Sequence, residues 1–352
     1  MAELEVSAFT IPTEEPESDG TLEWDSTTLV LVEVAAAGQR GLGYTYGSPA
    51  VAAFIREHLA SAVGRADPLS PPRTWATMRE AIRNAGQPGV GAMAVSAVDI
   101  ALWDLKARLL GVCLADALPR AHARVPVYGS GGFTSMTLDA LQEQLAGWAP
   151  FGRVKMKVGR EPDRDPERLR AAREAIGDAV ELFVDANGAF ARKEAVRWAE
   201  RYAELGVTYL EEPVTSDDLD GLRMVRDATR LDVAAGEYAW GLADVEPLLG
   251  AVDVVQADVT RVGGVTAMLR VDGLCGARSM RFSAHCAPAI SAHVCCAMEA
   301  AVHIEYFQDH VRVERLLFEG TLDPRDGALE PDRSRPGLGL ELKRSEAARY
   351  AA

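Results

Sequence analysis

The chain reads as an α/β protein, a closed TIM-like barrel of eight parallel strands and seven intervening helices, (β/α)7β, preceded by an α+β unit. Three observations predict it. From Val125 onward, short apolar runs alternate with helical patterns. The runs end in an ionisable residue: Asp185, Glu211, Glu237, Asp258, His285 and Glu305. The endpoints recur, with 26 residues from Asp185 to Glu211, 26 from Glu211 to Glu237 and 27 from Asp258 to His285. A doubly wound sheet shares this alternation, but eight strand candidates favour closure. Gly129-Ser130-Gly131-Gly132 also lacks the helix pattern that a dinucleotide fingerprint needs directly behind it.

In order, the acidic segment Pro12 to Asp25 is expected to be a mobile, solvated loop. Leu29 to Val34 is a strand by its β-branched content, and Gly38 to Gly47, with four glycines, is expected to be a turn or binding loop. Helical patterns follow at Pro49 to Val63, Arg73 to Ala85 and Gly91 to Leu110, the last strongly apolar and stopped by Gly111. The first barrel strand is Val125 to Tyr128. The second is Arg153-Val154-Lys155-Met156-Lys157-Val158, where alternation puts Lys155 and Lys157 on one side. Helices are expected at Leu138 to Trp148, Pro166 to Ile176, Lys193 to Leu205, Leu219 to Ala228, Leu242 to Leu249, Val265 to Ser279 and Ile290 to Ala301.

Composition narrows the function. A formal charge of −15 argues against a nucleic-acid backbone or an anionic membrane as partner. No apolar run approaches the roughly 18 residues of a membrane span, and Met1 to Glu5 is acidic where a signal peptide is basic, so a cytoplasmic protein is expected. Five cysteines, Cys113, Cys275, Cys286, Cys295 and Cys296, include no CxxC pair and read as buried free thiols. Cys286 follows His285 and is a candidate to line a pocket.

In a barrel the strand ends converge at one face. Asp185, Glu211 and Glu237 would repel one another there unless a cation lay between them, and three hard oxygen ligands suit Mg²⁺. Lys157 would face that metal as a base once Lys155 and the cation depressed its pKa from roughly 10.4. His285 would face it from the seventh strand, tuned upward by Asp258. Two bases flanking a metal-bound group point to removal of the proton alpha to a carboxylate, with Glu305, if protonated, donating to the enediolate.

These residues resemble the enolase superfamily, mandelate racemase subgroup, over essentially the whole chain. The matching strings are Lys155-Met156-Lys157, Val184-Asp185-Ala186-Asn187-Gly188, Leu210-Glu211-Glu212-Pro213, Ala235-Gly236-Glu237, Gln256-Ala257-Asp258 and Ser283-Ala284-His285, with a similar tail at Pro336 to Leu340. The resemblance implies Asp185, Glu211 and Glu237 as magnesium ligands, Lys157 as base on one face, and His285 with Asp258 as acid or base on the other. It makes Lys155 the cation beside the substrate carboxylate and Glu305 the donor to it. Asn187 is a polar candidate beside Asp185, while Glu212 and His293 read as structural. It further implies a cap over residues 1–124, a barrel over 125–317 and a segment, 318–352, that returns to the cap. Loops near Pro12 to Trp24 and Gly41 to Ser48 would select the substrate, and the protein would be a homo-oligomer, often an octamer. That superfamily is the general case of a Lys or His base working with Mg²⁺ on an enediolate.

The expected function is dehydration of a sugar acid or other hydroxy carboxylate to a 2-keto acid. Racemisation, epimerisation or cycloisomerisation of a carboxylate is the alternative, and a non-catalytic carboxylate-binding relative is a third reading. The acidic run Glu14 to Asp19 and Arg261 are candidates to meet the distal end of the substrate, against plainer readings as a solvated loop and a rim salt bridge.

Overall fold

The computed structural model describes residues 2–352. A three-stranded antiparallel sheet opens the chain, built from β1 (Glu3–Ser18), β2 (Glu23–Ala36) and β3 (Gln39–Tyr46). Two expectations are corrected here. Residues 12–25 are not a loop: β1 and β2 stay paired to Glu17↔Trp24 and Ser18↔Glu23, with a register shift after Pro12 that turns the hairpin tip. The stretch 38–47 is not a loop either, since only Ala37 and Gly38, both at positive φ, make the turn. Gly41 and Gly43 lie in β3 because a helix backbone presses on it: a Cβ would fall 2.2 Å from the Ala101 carbonyl oxygen at Gly41 and 2.3 Å from that of Ala97 at Gly43.

That helix is α4 (Val90–Leu110), reached through α1 (Ala50–Phe54), a π turn, α2 (Ala60–Gly64) and α3 (Pro71–Ala81). It is apolar all round because β3 covers one side and barrel elements the other. Gly111 ends it in the left-handed conformation, φ 70. Asp104, fully buried on α4, accepts hydrogen bonds from Leu42 N at 2.7 Å, Leu338 N at 2.5 Å and Arg108 Nε at 2.8 Å, tying sheet, helix and tail together.

After the short α5 (Leu114–Ala117) come β4 (Val125–Gly131), α6 (Leu138–Trp148), β5 (Arg153–Lys157), α7 (Asp165–Ile176), β6 (Glu181–Asp185), α8 (Arg192–Glu204), β7 (Val207–Glu211) and α9 (Leu219–Ala228). The series continues with β8 (Asp232–Ala235), α10 (Leu242–Leu248), β9 (Val254–Ala257), α11 (Gly264–Ala277), β10 (Arg281–Ala284), α12 (Pro288–Cys295) and β11 (Ala301–Phe307). Neighbouring strands are parallel, and β11 pairs with β4, Glu305 opposite Tyr128, which closes eight strands into a barrel. Period-two alternation sends Tyr128, Phe183, Tyr209 and Val254 inward as a packed aromatic and aliphatic layer. Two residues further along, β6 and β7 carry Asp185 and Glu211, while β4 and β9 carry Ser130 and Gln256.

Beyond α13 (Gln308–Leu317), β12 (Phe318–Glu319) pairs with β14 (Glu341–Leu342), and β13 (Ala328–Leu329) runs antiparallel to the start of β4. After α14 (Arg344–Ala347) the chain reaches the N-terminal sheet, with Arg344 Nη2 2.7 Å from Glu33 Oε1 and Ala352 N donating to the Ala8 carbonyl at 3.0 Å. Among the described residues no helix is long and apolar enough to cross a membrane.

Candidate active site

Asp185 and Glu211 end β6 and β7, and Glu237 follows β8 by two residues. Gly236 makes that last step, at φ 137, where a Cβ would lie 2.0 Å from the Gln256 carbonyl oxygen. One carboxylate oxygen from each of the three lies within 4.8 Å of the others, and all three side chains are buried. Glu211 Oε1 and Glu237 Oε2 have no hydrogen-bond partner. Buried carboxylate oxygens without donors are costly, so the set fits a hard divalent cation.

Lys155 and Lys157 project inward from β5, as the alternation predicts. Lys155 Nζ lies 2.7 Å from both Glu211 Oε2 and Glu305 Oε1, and Lys157 Nζ 2.6 Å from Asp185 Oδ2. Burial alone would raise the pKa of Asp185, but Lys157 and Lys155 outweigh it and hold the carboxyl low. The expectation of a depressed Lys157 is not met in this arrangement. Burial pushes the ammonium down, yet the adjoining Asp185 charge raises it above the ordinary lysine value and outweighs the repulsion from Lys155.

On the other side, His285 follows β10 and Asp258 follows β9. His285 Nδ1 meets Asp258 Oδ2 at 2.9 Å, and the second Asp258 oxygen accepts from Thr260 N and Oγ1, both at 2.7 Å. Burial opposes ionisation of Asp258, but the hydrogen bond and charge of His285 bring it down to about 2. Burial disfavours the charged imidazole, while Glu237, Glu305 and then Asp258 raise His285 above 6.5. The upward tuning is as expected, though Asp258 is not its largest source. Glu305 differs from expectation: burial favours a neutral carboxyl, but Lys155 and His285 keep it ionised, and it accepts from Ser130 Oγ at 2.6 Å.

These groups open onto a cavity of about 260 Å³ roofed by Asp19, Trp24 and Tyr46 from the N-terminal sheet and floored by Lys157, His285 and Glu305. A larger hollow of about 450 Å³ lies beside it, between Glu212, Thr215, Tyr238 and Trp240. It lacks both Lys157 and His285, so the smaller cavity is the candidate site. Asn187 borders both. The acidic run divides: Glu14 and Glu15 are exposed, whereas Glu17 and Asp19 are buried. Glu17 accepts from Trp24 Nε1 at 2.9 Å and is pushed up to about 8 by burial and Asp309. Arg261 lines the cavity and also makes the rim contacts, with Nε 3.6 Å from Asp258 Oδ2 and Nη1 3.7 Å from Glu237 Oε1.

Sequence reasoning passed over Asp309 and His310, which also line the cavity. Asp309 accepts from Thr27 Oγ1, and His310 stacks on Tyr46 with ring centroids 3.4 Å apart. The one signal available was Asp309-His310 closely following Glu305. Cys286 does line the cavity, but burial pushes its thiol well above 9, which makes it a poor nucleophile. His293 is structural, its Nδ1 3.5 Å from Cys113 Sγ and its pKa lowered by burial to about 4.

Comparison with known proteins agrees with this geometry. Residues 6–118 match the mandelate racemase / muconate lactonizing enzyme N-terminal domain, and residues 137–347 match the enolase C-terminal domain-like family. An L-talarate/galactarate dehydratase of Salmonella typhimurium is 31% identical over 333 residues, covering 91% of this chain and 81% of its own. A crystal structure of a mandelate racemase/muconate lactonizing enzyme-like protein from Rubrobacter xylanophilus superposes with a TM-score of 0.98 at 66% identity, over 99% of both chains. A racemase from Streptomyces coelicolor A3(2), crystallised with bound magnesium, superposes at 0.93 with 28% identity, also over 99% of both.

Proposed function

Because the chain belongs to the mandelate racemase / muconate lactonizing enzyme family of the enolase superfamily, we propose that it is a Mg²⁺-dependent dehydratase of a sugar acid or related hydroxy carboxylate. Asp185, Glu211 and Glu237 are the residues that would hold the ion. When bound, Mg²⁺ supplies positive charge against the negative charge that builds on the substrate carboxylate. Lys155 adds a cation to the same carboxylate, and Lys157, once it has given up the proton that Asp185 favours on it in this arrangement, takes the α-proton, leaving the C–H electron pair in an enediolate.

The observation that carries the reading is the Asp258–His285 pair, which puts an acid across from Lys157, and the choice of dehydration rests on the named relatives. Asp258 occupies Nδ1 at 2.9 Å, so Nε2 is the nitrogen left to face the cavity. From there His285 delivers a proton to the β-hydroxyl as its C–O bond breaks, water leaves, and the resulting enol becomes the 2-keto acid. The talarate/galactarate dehydratase relative supports this class of substrate. Where no leaving group is present, the same imidazole returns a proton to the opposite face. The magnesium-bound racemase neighbour supports that second reading, in which the product is an epimer.

Residues 1–124 act as the cap, 125–317 as the catalytic barrel and 318–352 as the segment that returns to the cap. The enzyme works in the cytoplasm as a homo-oligomer, an octamer by family resemblance, which light scattering coupled to size exclusion measures directly. The deciding experiment incubates protein and Mg²⁺ with a library of sugar acids. At least one should yield a 2-keto acid, and recovery of epimers alone would reject dehydration. Lys157→Ala should abolish exchange of the substrate α-hydrogen with deuterated water; a wild type showing no exchange on any carboxylate would make the protein a binding relative.

A further inference from the structure

Next to the three carboxylates lies a second constellation of different chemistry. His285 Nε2, Cys286 Sγ and Glu305 Oε2 form a triangle: 3.3 Å from nitrogen to sulfur, 3.4 Å from sulfur to oxygen and 3.7 Å from nitrogen to oxygen. All three side chains are more than nine-tenths buried. Zinc bound at its usual distances to sulfur, nitrogen and oxygen in a tetrahedron would separate those atoms by about 3.4–3.6 Å. The observed edges differ from one face of that tetrahedron by a few tenths of an ångström.

The surroundings are also those of a metal site. Asp258 holds Nδ1 of His285, the arrangement that orients an imidazole and leaves Nε2 as the ligand. Cys286 and Ala287 both sit in the left-handed region, φ 51 and 44, which non-glycine residues rarely adopt. The turn folds the thiol back between the imidazole and the carboxylate, and Cys286 N donates to Glu305 at 3.2 Å. All three residues line the cavity, from which a fourth ligand would come. Magnesium is not the natural occupant, because it takes oxygen ligands in an octahedron and has little affinity for sulfur.

We infer that His285, Cys286 and Glu305 form a site for a thiophilic divalent cation, with Zn²⁺ the best match, adjoining the all-carboxylate cluster at Glu237, whose Oε2 lies 3.4 Å from His285 Nε2, and that filling it switches the enzyme off. On binding, the thiol proton goes to solvent and sulfur binds as thiolate. The Nε2 lone pair is then engaged by the metal, and the open position competes for the substrate carboxylate. Binding rests on geometry alone, while inhibition rests also on the acid–base role proposed for His285.

The test uses the full chain with Mg²⁺ present and Co²⁺ as a spectroscopic probe, followed by Zn²⁺. A thiolate-to-cobalt charge-transfer band should grow to one equivalent, vanish on adding Zn²⁺, and be absent from Cys286→Ser and Cys286→Ala proteins with wild-type circular dichroism. Cobalt in the carboxylate cluster gives no such band, since that set holds no sulfur. Zinc at about ten times its Kd should slow turnover of the substrate found by screening about tenfold in wild type by mass action, and much less in either variant relative to its own zinc-free rate. No band at saturating Co²⁺, or a band that survives both substitutions, overturns the site. A Cys286-dependent band with undiminished turnover upholds the site but overturns the inhibition and, with it, the role given to His285.

Discussion

Asp258 shows how much of the site depends on a residue that never needs to touch substrate. Its two oxygens are saturated by His285, Thr260 and the flank of Arg261, so the imidazole is locked in one orientation. Asp258→Asn keeps the shape but removes the charge that favours the Nδ1 proton. The expected cost is about 10–100-fold in turnover, with little change in KM, as steady-state kinetics on the substrate found by screening will show. Most of the reacting groups were legible because each closes an apolar run at a regular interval. Asp309 and His310 were not, since they follow β11 and reach the cavity only where the N-terminal sheet sits on the barrel mouth, whereas Trp24 and Tyr46 fall in the two stretches that the family resemblance gave to substrate selection. Glu212 was read as structural, yet it is buried with Oε1 unpartnered and faces the neighbouring hollow. Burial first, and then the carboxylates of Glu237, Asp185 and Glu211 that only the fold brings near, push its carboxyl well above 4.5.

Among elements, β3 and α4 account for the largest misreading. Four glycines in ten residues look like a flexible turn, but Gly41 and Gly43 are there so that a helix can lie directly on a strand. Gly43→Ala should force the two apart and cost about 1–3 kcal/mol, visible as a lowered denaturation midpoint with activity per folded molecule retained. Helix α13 meets β3 through Glu314, whose Oε1 accepts from Tyr44 Oη at 2.5 Å and whose Oε2 accepts from Ala289 N at 3.2 Å. Burial lifts this carboxyl from 4.5 to about 8, against the donors that favour its ionised form. A raised folded-state pKa means the folded protein holds the proton more tightly than the unfolded chain. The stabilisation is therefore complete below pH 4.5 and is lost as pH rises toward 8, at no more than about 1.4 kcal/mol per pH unit. Glu314→Gln should flatten that decline in urea titrations run from pH 5 to pH 8. The helices themselves were nearly all legible, because amphipathic periodicity is local and α6 and α9 fall where their patterns place them.

At the level of the whole molecule, barrel closure makes the carboxylate cluster possible, and the cluster should in turn report on the barrel. A cation that binds only the folded state stabilises it by RT ln(1 + [Mg²⁺]/Kd), about 2.7 kcal/mol at one hundred times Kd. Adding Mg²⁺ should raise Tm, chelation should reverse the gain, and Glu211→Gln should remove most of it. Closure was legible from the count of strands and the even spacing of their ends. The path of the tail was not, because β12, β13 and β14 are two residues each and carry no period of their own. That path has a mechanical result. β1 borders its sheet with β2 on one flank only, and the final residues settle against its other flank, Ala351 bridging to Phe9 and Ala352 N bonding the Ala8 carbonyl. The last two residues thus cover part of an otherwise open β-edge, the kind of edge at which strands of other molecules can add, at a place remote from the chemistry.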